Sequence, residues 1–206
     1  MNEVQNNGAT PLAVVAVFRL KGDAAEFEQL LAEQGELMQA DAGFRFGILA
    51  RSAESPDTYV NIAWWRDSVS YLTVVRSYAF ASRAMSGIGR LADTRIDRLA
   101  ALEPDGTLLP ADGAEQGLLE LAAFDLPEDA DRAGFEQRLS GQAASLAARD
   151  DVAQVALARS LVRPGGYTAL SWRTADGPAA DDWPAWAAGQ ETGRYRVVSV
   201  VAPVAV

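Results

Sequence analysis

The sequence predicts an α+β chain in which two tandem β-α-β-β-α-β units pack sheet to sheet as an intramolecular pseudo-dimeric α/β barrel. Three observations predict it. First, landmarks recur in order: Phe18-Arg19-Leu20 is followed by Phe27-Glu28-Gln29-Leu30-Leu31, and Phe124-Asp125-Leu126 by Phe135-Glu136-Gln137-Arg138-Leu139. Leu49-Ala50-Arg51-Ser52 returns as Leu157-Ala158-Arg159-Ser160, and Tyr59 and Trp64 return as Tyr167 and Trp172, all at an offset of 108. Self-similarity at a fixed period marks a repeat architecture. Second, the apolar runs and helical stretches of each copy follow the order of a split βαβ, or ferredoxin-like, unit. Third, a sheet covered by helices on one face must bury the other, and a second copy in the same chain supplies that surface.

The elements follow in order. Residues 12–20 (LAVVAVFRL) are apolar and β-branched, as in a buried strand. Gly22-Asp23 opens a helix whose stripe includes Phe27, Leu30 and Leu31, and Gly43 is expected to end it. Residues 44–51 and 58–65 read as strands around the turn Glu54-Ser55-Pro56-Asp57. Asp67 or Ser68 caps a second helix, expected to run unbroken to about Ser86 and to stop at Gly87 and Gly89. A fourth strand spans 95–102. In the second copy strands are expected at 117–125, 152–162, 167–174 and 194–202, with helices at 128–149 and around 180–190. Asp181-Asp182 read as the cap of that last helix, and Pro184 falls inside it. Arg95–Pro104 parallels Arg194–Pro203 at an offset of 99, so the second copy is nine residues shorter before its last strand. The expected units are 11–104 and 117–206, joined by a linker at 105–116 within the Pro- and Gly-containing stretch 103–116.

Composition narrows the chemistry. At net charge −10 the chain is a poor partner for nucleic acid or an anionic membrane surface. No apolar run approaches the ~20 residues that span a bilayer, and residues 1–10 lack the pattern of a signal peptide, which suggests a cytoplasmic protein. With no Cys and no His, disulfides, a thiolate nucleophile, a Ser-His-Asp triad and a proximal-His haem are excluded. Lys21, the one Lys, sits at a strand end beside Gly22, a poor place for Schiff-base chemistry. Gly87-Ile88-Gly89 is too short for a phosphate loop.

Asn61-Ile62-Ala63-Trp64-Trp65 on the third strand, followed by Asp67-Ser68 and Tyr71, resembles the antibiotic biosynthesis monooxygenase family of the dimeric α/β-barrel superfamily. The resemblance implies a cofactor-independent monooxygenase that oxidises an aromatic polyketide-type phenol or anthrone to a quinone in antibiotic or secondary-metabolite biosynthesis. It implies no metal, flavin or haem, with molecular oxygen as co-substrate. It assigns catalytic roles to Asn61, Trp65 and Tyr71 and to an arginine of the second helix, Arg83 or else Arg76. The partner is then a small aromatic substrate, and the chain is a monomer with an internal pseudo-dimer or a homodimer. A polyketide cyclase or other tailoring enzyme, and a non-catalytic ligand-binding protein, share the fold and stay open. A haem-degrading enzyme is set aside for want of His.

Strand alternation puts Tyr59, Asn61, Ala63 and Trp65 on one face and Val60, Ile62 and Trp64 on the other. Trp64 and Trp172 are expected between the repeats, and Asn61 and Trp65 in the pocket under the helices. An Asn in mid-strand among apolar residues is uncommon, although a strand-end or turn hydrogen bond would also account for it, as core packing would for Trp65 and Tyr71. Arg45 and Arg51 fall on the helix-facing side or the rim. At offset 108 Asn61 becomes Ala169 and Trp65 becomes Arg173. The second copy keeps the scaffold residues and loses the pair, so one active site is expected, in the first repeat.

Overall fold

A computed structural model of the chain describes residues 10–82, 86–103, 107–113, 116–174, 183 and 191–203. The first repeat contains β1 (Leu12–Leu20), α1 (Ala24–Gln39), β2 (Phe44–Ser52), β3 (Thr58–Trp65), α2 (Ser68–Val75), α3 (Tyr78–Phe80), α4 (Ser86–Leu91) and β4 (Ala92–Ala101). The second contains β5 (Leu118–Asp125), α5 (Arg132–Ala147), β6 (Val152–Ser160), β7 (Gly166–Arg173) and β8 (Glu191–Val201).

The eight strands close into one antiparallel barrel in the order β1-β3-β2-β8-β5-β7-β6-β4, with β4 returning to β1. The fourth strand of each repeat crosses to the second strand of the other. β2 pairs with β8 from Gly47↔Val201 to Ser52↔Tyr195, and β4 pairs with β6 from Leu99↔Ser160 to Ala101↔Ala158. Closure removes the edge strands that an open four-stranded sheet would expose. The barrel interior is apolar, with Val15, Ile62, Trp64 and Leu99 meeting Leu119, Leu170 and Trp172. Trp64 and Trp172 therefore lie where the sequence puts them, and Trp64 Nε1 donates to the Leu108 carbonyl at 2.6 Å.

Helices cover the outside of each half. The stripe of α1 (Phe27, Leu31, Met38) buries against Phe18, Tyr59 and Trp65, and that of α5 (Phe135, Leu139, Leu146) buries with Phe124 and Tyr167. The equivalence of the halves extends to single bonds. Tyr59 donates its hydroxyl to Glu28 at 2.6 Å, and Tyr167 donates to Glu136 at 2.7 Å. Asp23 and Asp131 cap their helices by accepting the N–H of Glu26 and of Gly134.

Four expectations change. The segment expected as one helix from 68 to 86 is broken after Val75, because the Ser77 side chain accepts the Phe80 N–H at 3.2 Å and starts a new turn. Gly87 and Gly89 do not stop a helix but lie inside α4. A Cβ on Gly87 would come 2.7 Å from Leu30 Cδ2, so that glycine lets α4 approach α1. Helix α1 ends at Gln39 without Gly43. Gly43 instead touches the start of α2, where a Cβ would come 2.0 Å from Ser70 Oγ. Finally, Val14 faces Arg98 and the equivalent Glu120 faces Arg194, so Arg194 takes the place of Arg98 rather than that of Arg95. The expected helix around 180–190, its Asp181-Asp182 cap and Pro184 lie outside the described residues.

Candidate functional site

Strand β3 runs through the middle of the first half-barrel, between β1 and β2. Its alternation is as the pattern predicts: Val60, Ile62 and Trp64 face the barrel core, while Tyr59, Ala63 and Trp65 join the cluster under the helices. Asn61 is half-buried on the helix side, level with Ala16 on β1 and Leu49 on β2. Its Nδ2 donates to the Ile48 carbonyl at 2.9 Å. That bond fixes the side chain and leaves one N–H and the carbonyl oxygen for a ligand.

Trp65 is buried, 1% exposed, and packs edge-on to Phe44 with centroids 5.3 Å apart and to Tyr71 at 5.8 Å. Its indole Nε1 is buried with no hydrogen-bond partner among the described residues, an arrangement that costs stability unless an acceptor is supplied. Tyr71 reaches Trp65 because α2 starts where it does. Asp67 caps α2 by accepting the Ser70 N–H at 2.8 Å, and Arg66 Nε binds the same carboxylate at 2.9 Å. The Ser70 N–H and the Arg66 guanidinium together hold the Asp67 carboxyl down at about 2. Burial raises the Tyr71 hydroxyl above its ordinary value, opposed by the positive charge of Arg98. Tyr71 is therefore a protonated hydrogen-bond donor at neutral pH.

The structure thus brings Asn61, Trp65 and Tyr71 to one side of one sheet. Four residue steps along the strand take Asn61 to Trp65, about 13 Å at the usual rise. Arg76 caps the C-terminal end of α2 and is exposed. Arg83 lies outside the described residues. Arg51 stacks on the Tyr59 ring at 5.4 Å and donates to the Pro56 carbonyl at 2.6 Å. Arg45 is exposed at a β-bulge in β2. It lines a rim cavity of about 390 Å³ whose walls include Trp64, Trp65, Arg66 and Leu108.

The second repeat fills the equivalent place differently. Ala169 is buried where the first repeat has Asn61, and Arg173 is buried where it has Trp65. Arg173 Nε lies 2.9 Å from Glu120 Oε2 as an ion pair without hydrogen-bond geometry, and its Nη1 donates to Asp151 at 2.5 Å. Ser171 Oγ reaches Glu120 at 3.4 Å. Sequence reasoning missed this ion cluster; the signal was Glu120, a carboxylate in the middle of the apolar strand β5.

Among the described residues no group of three or more acidic side chains is disposed to hold a metal, and no helix is long and apolar enough to cross a membrane. Residues 11–82 match the family described as antibiotic biosynthesis monooxygenase. No curated protein matches the chain. Among solved structures, a candidate monooxygenase from Fusobacterium nucleatum subsp. nucleatum superposes at TM-score 0.70 with 11% identity, over 94% of this chain and 95% of that one. An anthrone oxidase-like protein superposes at TM-score 0.69 with 14% identity, over 96% of each chain. A candidate monooxygenase from Lactobacillus acidophilus gives TM-score 0.66 and 10% identity, over 96% of this chain and 98% of that one. At these identities the likeness is one of fold, and it extends over both halves.

Proposed function

We propose, from the match of residues 11–82 to the antibiotic biosynthesis monooxygenase family, that the chain is a cofactor-independent monooxygenase. It oxidises an aromatic polyketide-type phenol or anthrone to a quinone with molecular oxygen. The observation that carries this reading is the placing of Asn61, Trp65 and Tyr71 on one helix-covered face within the matched segment.

The substrate supplies the electrons. It loses a proton to give an electron-rich anion, which passes one electron to oxygen. The two radicals combine with formation of a C–O bond. The resulting hydroperoxide loses the remaining C–H proton as its O–O bond breaks, leaving a carbonyl and water. One oxygen atom enters the quinone and the other leaves as water. The protein must hold the anion, exclude water and direct one proton. The free N–H of Asn61 donates to the oxyanion or to the peroxide. Trp65 packs against the ring system and offers its unpartnered N–H. Tyr71, kept protonated by burial, donates to the departing oxygen. The resemblance adds Arg83 as a cation for the phenolate. The active unit is 11–104; the linker 105–116 joins it to 117–206, which serves as scaffold with its own site closed by the Arg173 ion cluster.

The test is oxygen consumption by metal-stripped protein with an anthrone. The reading expects one oxygen consumed per quinone formed, with no added cofactor. Anthrone binding without oxygen uptake above the uncatalysed rate would overturn it and favour a tailoring enzyme or a binding protein of this fold.

A further inference from the structure

On the helix side of the first half-barrel, cross-strand pairs form level rows. Asn61 is level with Ala16, Ala63 with Val14, and Trp65 with Leu12. On its other side Val14 pairs with Arg98 of β4. Directly opposed residues share a face, and the next residue, Leu99, points into the barrel core, so Arg98 points to the helix side. It stands in the row between those of Asn61 and Trp65, two strands away, or about 10 Å at the usual strand spacing. The side chains between them, Val14 and Ala63, are small and belong to the apolar cluster under the helices.

Arg98 is half-buried, and its guanidinium makes no hydrogen bond or ion pair among the described residues. Its backbone is held firmly. The Arg98 N–H donates to Asp97 Oδ1 at 2.8 Å, and its carbonyl accepts the Leu161 N–H at 2.7 Å. Asp97 in turn binds Arg163 at 2.8 Å and Ser160 at 2.6 Å. The second repeat thus anchors this strand of the first. Among the described residues the titratable group that interacts with Arg98 is Tyr71 from α2, and Glu28 of α1, on the same helix-covered side, is taken up by Tyr59. The facing positions on β1 and β3 (Leu12, Val14, Ala16, Ala63) carry no carboxylate to neutralise Arg98. Its counterpart Arg194 is committed elsewhere, to Glu54 at 2.6 Å.

We propose that Arg98 is a catalytic residue of the first repeat, the cation that receives the oxyanion of the bound phenol or anthrone. The assignment rests on the oxygenase reading for the identity of the ligand. In the step concerned the substrate gives its proton to bulk solvent as it binds, and the oxyanion pairs with the guanidinium, which none of the described residues competes for. A fixed cation close to an ionising group favours the charged form, and the fork of Arg suits an oxyanion that also needs orienting.

The test is made under nitrogen, where no turnover interferes. Anthrone bound to the full chain is titrated with base and its ionisation followed by absorbance. Wild type should ionise bound anthrone about one pH unit lower than free anthrone or more, Arg98→Gln should abolish that shift, and Arg98→Lys should restore part of it. An unchanged shift in Arg98→Gln overturns the assignment, as does a shift lost in Arg83→Gln and kept in Arg98→Gln. Oxygen uptake is read separately. A shift that depends on Arg98 without uptake upholds Arg98 as the anion site and removes the oxygenase reading. Uptake that is equal in wild type and Arg98→Gln leaves the oxygenase reading standing and removes Arg98.

Discussion

Trp65 and Arg173 end equivalent strands on equivalent faces, and each is buried to 1% exposure. In one repeat the position holds an indole packed on Phe44 and Tyr71; in the other it holds a guanidinium between Glu120 and Asp151. Removing one member of a buried ion cluster leaves uncompensated charge, whereas replacing the whole pair by apolar side chains is far less costly. Arg173→Met should therefore lower stability by about 3–5 kcal/mol. Adding Glu120→Val, which copies Val14 of the first repeat, should recover much of the loss. Urea unfolding of the single and double variants measures both; equal losses would show that Glu120 is not held by Arg173.

The Tyr59–Glu28 and Tyr167–Glu136 bonds make stability sensitive to base. Burial, and then the adjoining carboxylate, push the Tyr59 hydroxyl up to about 12, and the same causes raise that of Tyr167. A group whose folded value is raised contributes fully below its unfolded value, here 10, and loses that contribution as pH rises toward 12. Thermal unfolding should show the midpoint falling over this window. Tyr59→Phe with Tyr167→Phe should flatten the fall, at a cost near neutrality of about 1–3 kcal/mol per lost bond to a charged acceptor. An alkaline fall of unchanged depth in the double variant would rule these tyrosines out as its source.

At the acid end the relevant group is Asp67. Its lowered value means that its contribution is complete above the ordinary 3.8 and is lost as pH falls through about 2. Asp67→Ala also removes the cap of α2 and should cost about 1 kcal/mol. Asp67→Asn should keep most of the cap and lose only the acid-sensitive part. Chemical unfolding at pH 7 and pH 3 separates the two.

Gly43 sets the distance between β2 and α2. A methyl group there would overlap Ser70 Oγ and Cβ, at 2.0 and 2.3 Å. Gly43→Ala should cost about 1–3 kcal/mol by overpacking. It should also shift tryptophan emission, since Tyr71 moves away from Trp65 with α2. Unchanged emission would mean that α2 is not positioned through this contact.

How much was legible follows from what each feature depends on. Period-two alternation in β3 needs only local sequence, so the faces of Asn61, Trp64 and Trp65 were read correctly. Asp23 and Asp67 act on N–H groups three residues away and were equally visible. The helix break at Ser77 was missed because a local side-chain cap competes with a continuing helix, and nothing nearby decides between them. Gly87 looked like a stop because its reason for being glycine, Leu30 of α1, lies far off in sequence. The face that Arg98 takes was not legible because it depends on the register of β4 against β1. The partners of Arg173 were illegible for the same reason, since Glu120 and Asp151 come from β5 and the turn before β6.

The most direct test of the central claim is oxygen uptake with an anthrone by Asn61→Ala/Trp65→Phe compared with wild type, together with calorimetric titration of anthrone under nitrogen. The account predicts a fall in kcat/KM of about a hundredfold or more, and one binding site per chain in the wild type, weakened in the double variant. Undiminished uptake, or two equal sites per chain, would contradict a single active site in the first repeat.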